Sequence, residues 1–138
     1  MKKKETGRTQ SAGYQIGVRR TFDVSLHEAW DFLLSRKGLE LWLGTDNLEK
    51  WETGIEFSSP AAITGSVRVF KVYSHIRLSW KRKNWPNASV LQVRTIEAGA
   101  KTTISIHQEH LLNAAQREEM KDHWKKVLEK IRELLESE

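Results

Sequence analysis

The side chains with chemistry to offer in this 138-residue chain are five histidines, six tryptophans and an excess of basic groups; there is no cysteine. Without thiols there is no disulfide, no thiolate nucleophile and no cysteine metal site, a composition that suits a reducing cytoplasm. "HQEH", residues 107–110, has the residue types of a metal site. A separation of three, however, sends His107 and His110 to opposite faces of a strand, whereas chelation needs both on one side. His27, His75 and His123 fall in separate segments, and none has a carboxylate at a spacing that signals catalysis. No G-x-S-x-G, glycine-rich phosphate loop or H-E-x-x-H occurs. The sequence therefore nominates no catalytic residue, metal or other cofactor, and binding is favoured over catalysis.

The net charge of +5 is unevenly spread. Residues 1–20 and 57–107 are strongly basic, the latter block holding eight cations against Glu97 alone; residues 21–56 and 108–138 are acidic on balance. Such segregation points to a positive patch on whatever element residues 57–107 form. "KRKNW", residues 81–85, mixes basic and aromatic residues, but five residues are too few for a nucleic-acid tract, and no nucleic-acid partner is expected. No apolar run is long enough to span a membrane or to follow the basic start as a signal peptide. Residues 1–13 are expected to be a flexible basic tail, and 14–138 one domain located in the cytoplasm.

These side chains need elements to hold them. Tyr14–Val24 alternates with period two, predicting a strand. Ser25 and Glu28 form a capping box that opens a helix with Leu26, Ala29, Trp30 and Leu33 on one face. Gly38 is expected to interrupt it, with a second short helix over Leu39–Leu43 ending at Gly44. From Gly54 to His110 the patterns are strand-like, with short connections near Ser74–His75, Asn84–Asn87 and Gly99, as in an antiparallel meander. The parity of "SVRVFKVY", residues 66–73, conflicts with itself and suggests a bulge. Asn113 opens a final helix whose apolar stripe runs through Met120, Trp124, Val127, Leu128, Ile131, Leu134 and Leu135.

In order and spacing, "S-x-x-E-A-W-x-F-L" followed by "G-L-x-x-W-L-G", the run from Gly65 to Ser79-Trp80, the threonine-rich "TTISIH" and a closing helix around Trp124 resemble the family of activators of heat-shock-protein-90 ATPase. That family lies within the START and birch-pollen-allergen-like (SRPBCC) superfamily. The resemblance covers about residues 14–135. Gln108 stands where many members have histidine. The resemblance implies an α+β helix-grip fold: a curved antiparallel sheet wrapped around a long C-terminal helix, with two short helices after the first strand. It also implies a cavity between sheet and helix, with Trp30 anchoring the first short helix and Trp42 near the mouth.

Alternation along the strands assigns the walls of such a cavity. Leu78, Trp80, Leu91, Val93, Ile104, Ile106 and the inward Gln108 would come from the sheet, and Met120, Trp124 and Leu128 from the helix. Phe57 joins them from a short strand. These walls suit an apolar small molecule or lipid. Arg77, Lys81 and Arg94 would face outward and could meet an acidic protein partner or chaperone. A co-chaperone-like interaction module is thus the alternative to a ligand-binding domain, with a cyclase or hydrolase a third reading. A filled core beneath a charged surface would favour the interaction module.

Overall fold

A computed structural model describes residues 8–9, 13–45, 48 and 50–136. Among these, seven strands form one antiparallel sheet: β1 (Arg8–Thr9), β2 (Gly13–Phe22), β3 (Glu56–Ser58), β4 (Ile63–Lys71), β5 (His75–Arg82), β6 (Ser89–Ala98) and β7 (Lys101–Leu111). Their spatial order is β1-β2-β7-β6-β5-β4-β3. Two short helices, α1 (Leu26–Leu34) and α2 (Arg36–Trp42), follow β2, and the long α3 (Ala114–Leu135) closes the chain. This is the helix-grip arrangement that the resemblance implies. The meander arises because β4 to β7 are joined by short turns, and only the β2–β7 pairing brings distant parts of the chain together.

Within the stretch expected to be a tail, Arg8–Thr9 pairs with Gly13 and Tyr14. Residues 1–7 and 10–12 of that stretch lie outside the described residues.

Side-chain alternation sorts the sheet into two faces. Ile76, Leu78 and Trp80 on β5, Leu91 and Val93 on β6, and Ile104 and Ile106 on β7 are buried beneath α3. The expected parity conflict in β4 is resolved by a register shift between Val67 and Val69. α3 begins at an Asn113 cap whose side chain accepts from the Gln116 amide, and it buries Met120, Trp124, Val127, Leu128 and Ile131, whereas Leu134, expected on the same stripe, is exposed in the last turn, beyond the reach of the sheet. Two ion pairs stitch this helix to the sheet, Arg20 with Glu129 and Arg82 with Glu119.

The capping box of α1 is present, with the Ser25 hydroxyl accepting from the Glu28 amide and Glu28 reaching back to Ser25. The boundary between the short helices differs from expectation. Gly38 does not interrupt: it lies inside α2, and the break falls at Ser35, whose backbone is extended and whose hydroxyl caps α2 by accepting from the Gly38 amide. Gly38 is there for another reason. A Cβ at that position would sit 1.9 Å from the Phe32 carbonyl oxygen, so only glycine lets α2 pack this closely on the end of α1. Glycine's role in close approach looks the same in sequence as its role in ending a helix.

Gly38→Ala therefore sets two effects against each other. Alanine gains about 1 kcal/mol of helix propensity, but its methyl meets backbone that cannot swing aside, and overpacking of this kind costs about 1–3 kcal/mol or more. The clash should win, and urea denaturation should show a net loss of stability. A midpoint at or above that of the wild type would refute the close-packing role.

Candidate functional site

Two regions bear on function: the interface between sheet and α3, and the outer face of the sheet. At the interface, all eleven residues expected to wall a cavity are buried. Phe57 is the most exposed at 7%, and Leu78, Trp80, Leu91, Ile104, Ile106, Met120 and Trp124 are at 0%. They belong to one continuous apolar cluster with Val93, Leu128 and Trp42.

Two aromatic groups fill this interface. In one group, Trp80 from β5 meets Trp124 with ring centroids 5.7 Å apart, and Trp85 packs edge-on against Trp80 at 5.3 Å. The "KRKNW" segment is thereby split. Trp85 turns inward, Arg82 lies over the Trp80 ring and pairs with Glu119, and Lys81 stays on the opposite face. In the other, Trp42 lies under Trp51, which stacks at 5.2 Å on Phe70, and Phe70 meets Trp30 at 5.7 Å. Trp42 is 1% exposed and donates from Nε1 to the Leu33 carbonyl at 2.8 Å, tying α2 to α1. Both tryptophans of the short helices are thus held in the core. No sequence period assigns Trp51, Phe70 and Tyr73 to this cluster, because they lie in a loop, beside a bulge and in a turn.

A polar thread runs through the apolar interior. Trp124 Nε1 donates to Gln108 Oε1 at 2.7 Å, Gln108 Nε2 donates to Ser89 Oγ at 2.8 Å, and Ser89 Oγ donates to the Trp80 carbonyl at 2.6 Å. Gln108 and Ser89 are fully buried. The inward direction of Gln108 follows from strand parity, whereas its partners come from two other elements, α3 and β6. The indole N–H of Trp80 is buried with no hydrogen-bond partner among the described residues.

His123 borders this cluster, its ring 4.6 Å from that of Trp124 and 6.4 Å from that of Trp80. Burial, assisted by the nearby Arg82 and Lys126 cations and opposed by Asp122, pushes its pKa down to about 4. The imidazole is therefore neutral near pH 7.

The outer face is different in kind. Register places Lys71 opposite His75, His75 opposite Arg94, Arg94 opposite Ser105, and Ser105 opposite Arg19. This is one row across five strands, with three cations in it. Arg77 and Lys81 share the face, so Arg77, Lys81 and Arg94 are together as strand parity implies. Burial, followed by the charges of Arg94, Lys71 and Arg77, lowers the pKa of His75, so this histidine adds no charge to the row near neutrality. Among the described residues of β2, β7, β6 and β5, the carboxylate on this face is Glu109, 3.6 Å from Arg77 and 3.3 Å from His107. Block charges along the chain miss this neutralisation, because Glu109 lies outside the basic block and reaches Arg77 only through strand pairing.

The sequence matches the model of the family described as activator of Hsp90 ATPase homolog 1-like protein over residues 23–136. The chain belongs to this family. Among solved structures, CalU16 from Micromonospora echinospora superposes with a TM-score of 0.76 at 19% identity, covering 93% of this chain and 81% of CalU16. PFC0360w, an HSP90 activator from Plasmodium falciparum, gives 0.74 at 17% identity over 88% of this chain and 95% of that one. Protein MLL2253 from Mesorhizobium loti gives 0.74 at 20% identity, covering 89% and 97% of the two chains. At these identities the likeness is one of fold. No curated protein matches the sequence. Family membership accords with a role in binding a small ligand or in co-chaperone-like interaction, and no described helix is long and apolar enough to cross a membrane.

The state of His123 has a measurable consequence. Its folded pKa lies below the ordinary 6.5. Above pH 6.5 both folded and unfolded chains hold it neutral. As pH falls from 6.5 towards 4, the unfolded chain binds a proton that the folded chain refuses, and stability declines. His123→Phe keeps an aromatic ring but has nothing to titrate, so its urea midpoint should fall less steeply over this window. Parallel pH profiles for the two proteins would show that His123 is not buried neutral.

Proposed function

We propose that this domain works as a protein-binding module of the co-chaperone kind, presenting the basic outer face of its sheet to an acidic surface on its partner. The observation that carries this reading is the cross-strand row from Lys71 to Arg19, flanked by Arg77 and Lys81. A rigid sheet holds these cations in fixed register, so they can meet carboxylates without first being ordered. The interior supports the same reading: Trp80 and Trp124 touch directly, and the side chains assigned to a cavity wall pack as one core. Family membership adds its weight, and the fold is shared with an HSP90 activator.

Charge reversal tests it directly. A partner retained on immobilised wild-type protein should bind Arg77→Glu/Arg94→Glu about tenfold or more weakly, and wild-type retention should fall as salt rises. Unchanged capture by the double variant would end this reading.

One observation favours a second reading, binding of an apolar small molecule at the sheet–helix interface. The Trp80 indole N–H has no acceptor among the described residues. Leaving a buried donor unpaired costs about 1–3 kcal/mol. A planar apolar molecule carrying a carbonyl would supply the missing acceptor while packing among Trp80, Trp85 and Trp124. Native mass spectrometry of freshly purified protein should then show an added small-molecule mass that is absent from folded Leu91→Trp, in which the larger side chain takes up interior space. A wild-type spectrum without an adduct would count against the ligand.

A further inference from the structure

The cation row on the outer face has a repeat of its own, and that repeat favours one shape of partner. Lys71, Arg94 and Arg19 occupy alternate strands, with His75 and Ser105 between them. Neighbouring strands lie about 4.8 Å apart, so successive cations are separated by about 9.6 Å and the row spans about 19 Å. Lys71 and Arg19 are exposed, and Arg94 is half-buried. None of the three has a carboxylate partner among the described residues, unlike Arg77, which Glu109 already holds.

A chain of carboxylates can meet such a repeat in two conformations. In an extended strand, side chains on one face recur every two residues, about 6.7 Å, which is out of step with the cations at the first interval. In an α-helix, side chains seven residues apart share a face and stand about 10.5 Å apart. That differs from the cation interval by about 1 Å, which long lysine and arginine side chains absorb by swinging on flexible stems. About fifteen residues of helix, with acids at the first, eighth and fifteenth positions, cover the whole row.

The surface beside the row suits a helix as well. Val69, two residues before Lys71, and Ile96, two residues after Arg94, share the outer face and lie on opposite sides of the row. They are 39% and 37% exposed, so the cations run between open apolar groups. A helix lying along the row would cover both with the residues that flank its acids at spacings of three and four.

We propose that the outer face receives an acidic α-helix of its partner, laid across the strands with carboxylates every seven residues on Lys71, Arg94 and Arg19 and apolar side chains on Val69 and Ile96. This rests on the outer-face reading, which asks only for an acidic surface, and adds the secondary structure and the repeat of that surface.

Three fluorescent, alanine-rich peptides of equal charge test it against the full chain. The first carries three glutamates seven residues apart, and the second carries them five apart, which scatters them around the helix. The third keeps the first spacing but has proline between the glutamates, which breaks the helix. The first should bind about tenfold or more tightly than either of the others. Arg94→Glu and Lys71→Glu, each checked for folding by circular dichroism, should each weaken it about fivefold or more. Lys125→Glu, the same change of charge at an exposed position on α3, should leave it unchanged. Equal binding of the three peptides, lost on Arg94→Glu but kept on Lys125→Glu, would overturn the helix and leave the outer face standing. No binding of any peptide, or a loss on Lys125→Glu as great as on Arg94→Glu, would overturn both.

Discussion

The chain of buried hydrogen bonds from Trp124 through Gln108 and Ser89 to the Trp80 carbonyl fixes where the long helix sits on the sheet. Apolar contact alone is weakly directional, and a helix with a stripe of leucine, isoleucine and valine can slide along a sheet at little cost. A buried glutamine cannot. Each of its polar atoms must find a partner or forfeit about 1–3 kcal/mol, and here the partners come from α3 on one side and β6 on the other. Once that register is set, Arg82 reaches Glu119 and Arg20 reaches Glu129, pinning the helix near both of its ends.

Aromatic residues do the remaining closure. Trp80, Trp85 and Trp124 fill one part of the interface, while Trp42, Trp51, Phe70 and Trp30 fill another. Large rings suit a curved sheet around one helix, because the space tapers and a few bulky side chains match it better than many small ones. His123 belongs to this closure, its neutral ring wedged beside Trp124 as an aromatic. Inside, polarity is confined to groups that hydrogen-bond across elements. Outside, the sheet carries cations in an ordered row. Family membership accords with a role in binding a small ligand or in co-chaperone-like interaction.

Much of the architecture was legible in the sequence because it rests on local rules. Period-two alternation marked β5, β6 and β7; the serine and glutamate at 25 and 28 marked the start of α1; and the apolar stripe from Met120 to Leu135 marked α3. Parity alone put Gln108 inside and Arg77, Lys81 and Arg94 outside. Conflicting parity in residues 66–73 gave away the bulge at Val67 and Val69. Gly38 was the place where local reading went astray, since a glycine needed for close approach and one that ends a helix look alike until the neighbouring helix is in place.

The residues themselves therefore determined the elements, their faces and the pool of side chains available for binding, since each of these depends on neighbours a few positions away. Tertiary structure decided who meets whom across long separations. Glu109 neutralises Arg77 through strand pairing, Trp51 covers Trp42 from a loop without periodicity, and Arg20 comes to pair with Glu129 across a hundred residues of chain. No local pattern encodes such meetings. They follow from the order of strands in the sheet and the register of one helix upon it, which a few buried polar atoms and tightly packed rings select from the many placements that hydrophobic burial alone would permit.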